Sequence, residues 1–260
     1  MPLYKEQGIV LRAAKLGEAD KIVTILTQGS GKVRGVAKGI RRTNSKFGAR
    51  LEPFTHVSLL MYRGRNLDTV TQAEIVSSFR TLRTDLSLIA AGETMLEAVD
   101  KVAEEHERNV RLFLLLLSGM RALDEAPPDP AAVAESFLLK LLSLSGFHPS
   151  LGACAVCGAP GPLERFSAGQ GGVVCTADAE HDAGRVSWPA VHWLDQLAHL
   201  DLAQAGLATP PTLVRREARA ILYGFTEFHL ERRMRSFSLL ARQPDPAVVV
   251  LPDAVPASSP

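Results

Sequence analysis

Cys154-Ala-Val-Cys157 and Cys175-Thr-Ala-Asp178 set four possible metal ligands in two pairs, each with a two-residue gap. A turn that short aims both of its side chains at one ion, and two such pairs have the spacing of a ribbon-type zinc site. Gly158 and Gly171-Gly172 supply the backbone freedom such knuckles need. With three thiols and a carboxylate in place the shell is closed, so the zinc would be structural and not catalytic. Asp178 is an unusual structural ligand, and His181, three residues on, is the rival for the fourth position. All three cysteines of the chain lie between 154 and 175. An odd number at metal-like spacing argues against a secreted disulfide scaffold and for a reducing cytoplasm.

The second chemistry is charge. From Lys21 to Leu51 there is no Asp or Glu, yet the stretch holds Lys21, Lys32, Arg34, Lys38, Arg41, Arg42, Lys46 and Arg50. Residues 1–80 carry 14 Lys and Arg against 6 Asp and Glu, whereas the whole chain nets only +1, so the remainder is acidic. A concentrated basic surface attracts a polyanion and gains from counterion release at each phosphate contact. Lys32, Arg34, Lys38, Arg41, Arg42, Lys46 and Arg50 are the candidate phosphate ligands, with Arg63 and Arg65 at the opposite hairpin tip. Aromatic residues are scarce here. Phe47 sits in the basic loop and could stack on a base, while Phe54 and Phe79 read as core. Binding should then be phosphate-directed and weakly sequence-selective.

An enzyme reading has little to rest on. Gly29-Ser-Gly31-Lys32 resembles part of a P-loop, but Leu26 stands where the leading glycine belongs and Val33 replaces the magnesium-binding hydroxyl. Arg34 breaks the dinucleotide fingerprint, and no acidic cluster of a nuclease type is present. The longest strongly apolar run, Leu112 to Leu117, is too short for a membrane span, and the N-terminus lacks a signal core.

These residues need a frame. Residues 1–80 read as five short strands: Gly8–Ala14, Lys21–Thr27, Lys32–Lys38, Thr55–Tyr62 and Leu67–Val76, the last two a hairpin across Arg63–Asn66. Five strands in so short a span suit an oligonucleotide-binding (OB) type barrel. From about Arg83 the period turns helical, with amphipathic stretches over 86–102, Val110–Leu123, Pro130–Gly146, Trp188–Leu202 and Thr212 to about Arg235. The expected organisation is multidomain α+β: an OB-type barrel at 1–80, then a helical domain at 81–242 carrying a zinc-ribbon-like insert at 152–184. Residues 243–260 hold five prolines and read as a disordered tail.

Several segments resemble the RecO family of bacterial recombination mediators. They are Glu18-Ala-Asp20-Lys-Ile-Val-Thr-Ile-Leu-Thr27, Gly31-Lys32 leading into Val36-Ala-Lys-Gly39-Ile-Arg-Arg, and Leu51-Glu-Pro-Phe54. Further along come Leu138 to Pro149, the Cys154/Cys157 pair with Gly172-Val-Val-Cys175, and His229-Leu-Glu-Arg-Arg-Met-Arg-Ser236. The match spans about residues 1–240, and the departure that matters is Asp178 where zinc-bearing relatives carry a fourth cysteine. The resemblance implies a non-enzymatic, cytoplasmic, nucleoid-associated protein of RecF-pathway repair. Such a protein binds single- and double-stranded DNA, anneals complementary strands, engages RecR and the C-terminal tail of single-stranded-DNA-binding protein, and assists RecA loading. For that acidic, apolar-ended tail, Arg121 near Leu116, Leu117 and Met120, or Lys140 beside Leu141 and Leu142, is the candidate rim cation. An RNA-binding or ribosome-associated OB and zinc-ribbon protein is the alternative, since it would need the same basic face.

Overall fold

A computed structural model describes residues 3–43, 45 and 47–243. Lys46 of the basic loop, and all but the first residue of the expected proline-rich tail, lie outside the described residues.

Five strands close into a barrel in the order β1-β2-β3-β5-β4, with β4 returning to β1. They are β1 (Leu3–Leu16), β2 (Asp20–Thr27), β3 (Gly31–Ala37), β4 (His56–Tyr62) and β5 (Asp68–Ser77). The β3–β5 pair is parallel, with Gly35 opposite Asp68, and the other pairs are antiparallel. Strand period 2 explains the sorting of side chains. Along β3, Val33 and Ala37 are buried while Lys32, Arg34 and Val36 are half-exposed. The barrel core gathers Val10, Val23, Ile25, Val57, Leu59, Met61 and Val70. Phe47 and Leu51, from the segment joining β3 to β4, belong to that core. Phe47 is only 1% exposed, so the apolar ring that could have stacked on a base instead fills the barrel. Phe54 and Phe79 are core, as the sequence suggests.

The helices follow as α1 (Leu86–Val102), α2 (Val110–Asp124), α3 (Pro130–Leu144), α4 (Trp188–His199), α5 (Leu202–Ala205), α6 (Thr212–Leu230) and α7 (Ser236–Leu240). Asp85, Asn109, Asp129 and Ser187 cap the starts of α1, α2, α3 and α4 through side-chain oxygens. Helix α3 is buried from Ala131 to Leu139 without interruption and is the hub of the bundle. Two expected helices are shorter than their apolar pattern. Asp201 and Gln204 form a capping box that restarts the chain as α5, and Glu231 adopts a left-handed φ of 51° that ends α6. Strand β1 starts at Leu3, five residues ahead of the apolar run that announced it.

Barrel and helices share one apolar core. Ile9, Leu11 and Leu26 of the barrel join Phe54, Phe79 and Leu82 and the inner faces of α1, α2 and α3. Between α3 and α4 a three-stranded sheet is ordered β7-β6-β8, from β6 (Arg165–Ser167), β7 (Gly172–Val174) and β8 (Gly184–Arg185). Phe166 of β6 meets Phe225 of α6 edge-on at 5.8 Å, which seats this ribbon on α6. Buried Asp129 accepts from Thr209 Oγ1 at 3.1 Å and from Arg215 Nη1 at 3.1 Å, tying the start of α3 to α6. Removing one partner of such a pair strands a buried charge, at about 3–5 kcal/mol. Among the described residues, no helix is long and apolar enough to cross a membrane.

Candidate nucleic-acid interface and metal centre

Cys154, Cys157, Cys175 and Asp178 converge, with one ligand atom from each lying within 4.8 Å of all the others. Asp178 Oδ2 is 3.0 Å from Cys175 Sγ and 3.4 Å from Cys154 Sγ, and Cys157 Sγ is 3.9 Å from Cys175 Sγ. Ligands at Zn–S distances of about 2.3 Å around a tetrahedral ion sit about 3.8 Å apart, so this donor set fits one cation. Each pair is aimed by a turn: Gly158 N–H donates to the Cys154 carbonyl at 2.9 Å and Asp178 N–H to the Cys175 carbonyl at 3.2 Å. Gly158 takes φ 75° to close the first turn. His181 is exposed and stands outside the cluster.

The electrostatics agree with a cation site. Backbone N–H groups, chiefly that of Cys157, hold the Cys154 thiol below its ordinary value. Hydrogen bonding to Asp178 pushes the Cys157 thiol up to about 12. Asp178 is held down by hydrogen bonds, first from Cys157. Three sulfurs and a carboxylate crowded together must share protons, and a divalent cation bound there would replace those protons.

The basic residues separate into two groups. Lys32 Nζ donates to the Asp100 carbonyl at 2.6 Å and lies 3.6 Å from its carboxylate, with only 13% of its side chain exposed. Arg34 faces Glu105 at 3.7 Å, and Arg12 pairs with Asp100 at 2.8 Å. These contacts come from the end of α1 and the loop after it. His106 N–H also donates to the Lys32 carbonyl, and a side chain at Gly31 would strike the Glu107 carbonyl at 2.0 Å. The lower half of β3 is therefore covered by an acidic segment.

Lys38, Arg41 and Arg42 stand exposed where β3 runs out. Arg41 Nη1 donates to the Gly17 and Glu18 carbonyls at 3.2 and 2.8 Å, which binds this loop to the β1–β2 turn. Asp20 Oδ1 accepts from Gly39 N–H at 2.7 Å, and Lys21 pairs with Glu52 at 2.7 Å. Arg50 is half-buried and donates to the Phe47 carbonyl at 3.2 Å. Arg63 and Arg65 are exposed at the β4–β5 tip, Arg63 lying over the Tyr4 ring at 5.2 Å. Exposed Lys15, opposite Lys21 in the β1–β2 ladder, adds a cation that the acid-free window missed because the window began at Lys21.

Of the two rim cations, Arg121 is exposed on α2, whereas Lys140 Nζ donates to the Ala198 carbonyl at 2.9 Å near the end of α4. Burial lowers the Lys140 pKa. Leu116, Leu117, Met120, Leu141 and Leu142 are all core, so neither cation borders an apolar floor made of those residues.

Two family descriptions match the chain: "Recombination protein O N terminal" over residues 1–79 and "Recombination protein O C terminal" over residues 83–237. The chain belongs to the RecO family. Curated relatives named DNA repair protein RecO cover nearly all of it. The Frankia casuarinae protein is 45% identical over 246 residues, 93% of this chain and 100% of that one. The Bifidobacterium longum protein is 41% identical over 242 residues, 92% of this chain and 99% of its own. The Streptomyces coelicolor protein is 41% identical over 245 residues, 91% and 98% of the two chains. The RecO-like segments of the barrel are largely the ties just described. Asp20, Gly39 and Glu52 anchor the basic loop, and Phe54, at φ 66°, lies beneath the Arg83 guanidinium at 5.7 Å. A role in recombination and DNA repair follows from membership of the RecO family.

Proposed function

We propose that this chain is a non-enzymatic DNA-binding mediator of recombinational repair. Residues 1–80 hold the phosphates of single- and double-stranded DNA, and the helical residues 81–242 meet protein partners. By neutralising the repulsion between two backbones it lets complementary strands anneal without a nucleotide cofactor, and with RecR it assists RecA loading. Single-stranded-DNA-binding protein is a further partner through its acidic tail, for which exposed Arg121 is the better placed of the two cations. The protein acts in the cytoplasm, at the nucleoid. A structural zinc held by Cys154, Cys157, Cys175 and Asp178 steadies the ribbon and takes no part in chemistry.

One observation carries this reading: in a chain of the RecO family, Lys38, Arg41 and Arg42 stand exposed just past the end of β3 with no ion pair to a carboxylate among the described residues. Each phosphate contact releases counterions, so binding should weaken steeply with salt. Lys38→Ala with Arg42→Ala should weaken single-strand binding for all sequences alike and flatten the salt slope by about 0.7 per lost contact. Fluorescence anisotropy across a salt series measures both. An unchanged slope would remove the barrel end from the interface. Tighter binding to RNA than to DNA of equal length would favour the ribosome-associated alternative.

A further inference from the structure

The zinc ribbon carries a second concentration of positive charge. Arg165 of β6 and Arg185 of β8 are direct partners in the antiparallel register, so both side chains leave the same face of the sheet. Like charges placed opposite one another destabilise a strand pair. Neither arginine has an ion pair among the described residues, and the Arg185 guanidinium has no hydrogen-bond partner there either. Arg165 Nη1 donates to the Ala183 carbonyl at 3.2 Å, which steadies one guanidinium and leaves its other N–H groups free to bind. The two side chains line a cleft of about 310 Å³ whose wall includes Cys175 and the exposed Thr176, with Glu164 as its one acid. Neither guanidinium hydrogen-bonds a cluster sulfur or Asp178, so the pair is not spent on the metal centre.

Two guanidinium forks and a hydroxyl around a polar cleft match a phosphodiester, which offers bidentate donors two non-bridging oxygens that share one negative charge. An acidic peptide with an apolar end fits less well. Of the cleft's apolar lining residues Val174 is 1% exposed, which leaves half-buried Leu163 and exposed Pro162 as the apolar surface in a mostly polar cleft. The ribbon sits on α6 through Phe166, while the barrel packs on α1 and α2. The cleft is therefore built on other elements than the basic barrel end. We infer that Arg165, Arg185 and Thr176 form a second nucleic-acid phosphate site, one that holds a second strand while the barrel holds the first. The inference rests on the DNA-binding reading above and adds a place for the second strand.

The test uses the full-length, zinc-loaded chain and two non-complementary oligothymidylates, one carrying a donor dye and one an acceptor. Energy transfer reports two strands on one protein, and anisotropy with a single strand reports the barrel. Arg185→Glu should abolish the energy transfer and slow annealing of complementary strands at least tenfold, leaving single-strand affinity within about threefold and zinc content unchanged. Arg185→Lys should restore part of the signal. Unaltered energy transfer in Arg185→Glu would overturn the inference while the barrel assignment stands. Loss of zinc in Arg185→Glu would overturn it too, by making Arg185 a counter-charge to the metal centre. So would binding of an acidic peptide that is competed by inorganic phosphate but not by DNA. If Lys38→Ala with Arg42→Ala binds single strands as the parent does and Arg185→Glu does not, the barrel assignment fails and the ribbon site stands.

Discussion

Cys154 and Cys157 are three residues apart, yet their thiols are driven in opposite directions, one held down by backbone N–H groups and the other raised by Asp178. That contrast is what a cluster able to trade protons for a cation would show. One zinc per chain is expected on metal analysis after growth with zinc. Cys154→Ser should lower the melting temperature and loosen the ribbon, with little change in single-strand affinity. Loss of a structural metal is among the few changes that exceed about 4 kcal/mol. Asp178→Cys should keep the zinc, because a thiolate is the commoner fourth ligand. A protein with no bound metal and three freely reactive thiols would refute the assignment. Lys32 teaches a different lesson about single residues. Its place in the acid-free stretch makes it look like a phosphate ligand, but its ammonium is given to Asp100.

Strand β4 meets helix α2 through His56, which is 5% exposed and lies edge-on to Phe113 at 5.9 Å. Burial, reinforced by the charge of Arg121, lowers the His56 pKa below its ordinary 6.5. The unfolded chain then binds a proton near pH 6.5 that the folded chain refuses. Below that value the unfolded state holds more protons, so stability falls as pH is lowered, until the folded pKa is reached. Each unit of depression amounts to about 1.4 kcal/mol. Urea unfolding midpoints should therefore drop between pH 7.5 and 5, and His56→Gln should flatten the decline. His229, also lowered by burial, contributes in the same direction, so a residual slope remains. A variant whose midpoint falls as steeply as the parent's would clear His56 of the role. At this level the sequence was largely readable. The five strands and the starts of the main helices follow from alternation and caps, and the misjudged ends lie at Leu3, Asp201 and Glu231. Those ends depend on local turn geometry, to which apolar periodicity is blind.

The barrel and the helices are joined by charge as well as by apolar contact. Asp100 and Glu105 hold Arg12, Lys32 and Arg34, and Glu104 and Glu107 are exposed beside them. On the proposed DNA-binding reading, an acidic segment over half of β3 would compete with nucleic acid for the same strand. Glu104→Gln with Glu105→Gln should tighten single-strand binding and steepen its salt dependence, because it releases Arg34 and removes two repelling charges. Exposed ion pairs contribute about 0.2–1 kcal/mol, so the gain should be a few-fold. Weaker or unchanged binding in this variant would mean that the strand face below Arg34 plays no part.

Composition and spacing alone carried the split of charge between the two parts of the chain, the five barrel strands, the helical succession and the four residues that converge as possible metal ligands. Each depends on residues close in sequence, where backbone period and turn length decide geometry. The division of labour among the cations could not be read that way. Lys32 finds its partner 68 residues away, and Arg215 and Asp129 meet across 86. Arg165 and Arg185 face one another only because β6 and β8 pair in that register. Such encounters arise when the barrel packs on α1 and the ribbon on α6. Only that packing separates the cations balanced by carboxylates from those left open to a ligand, because a charge is free or paired according to what lies within a few ångströms in space.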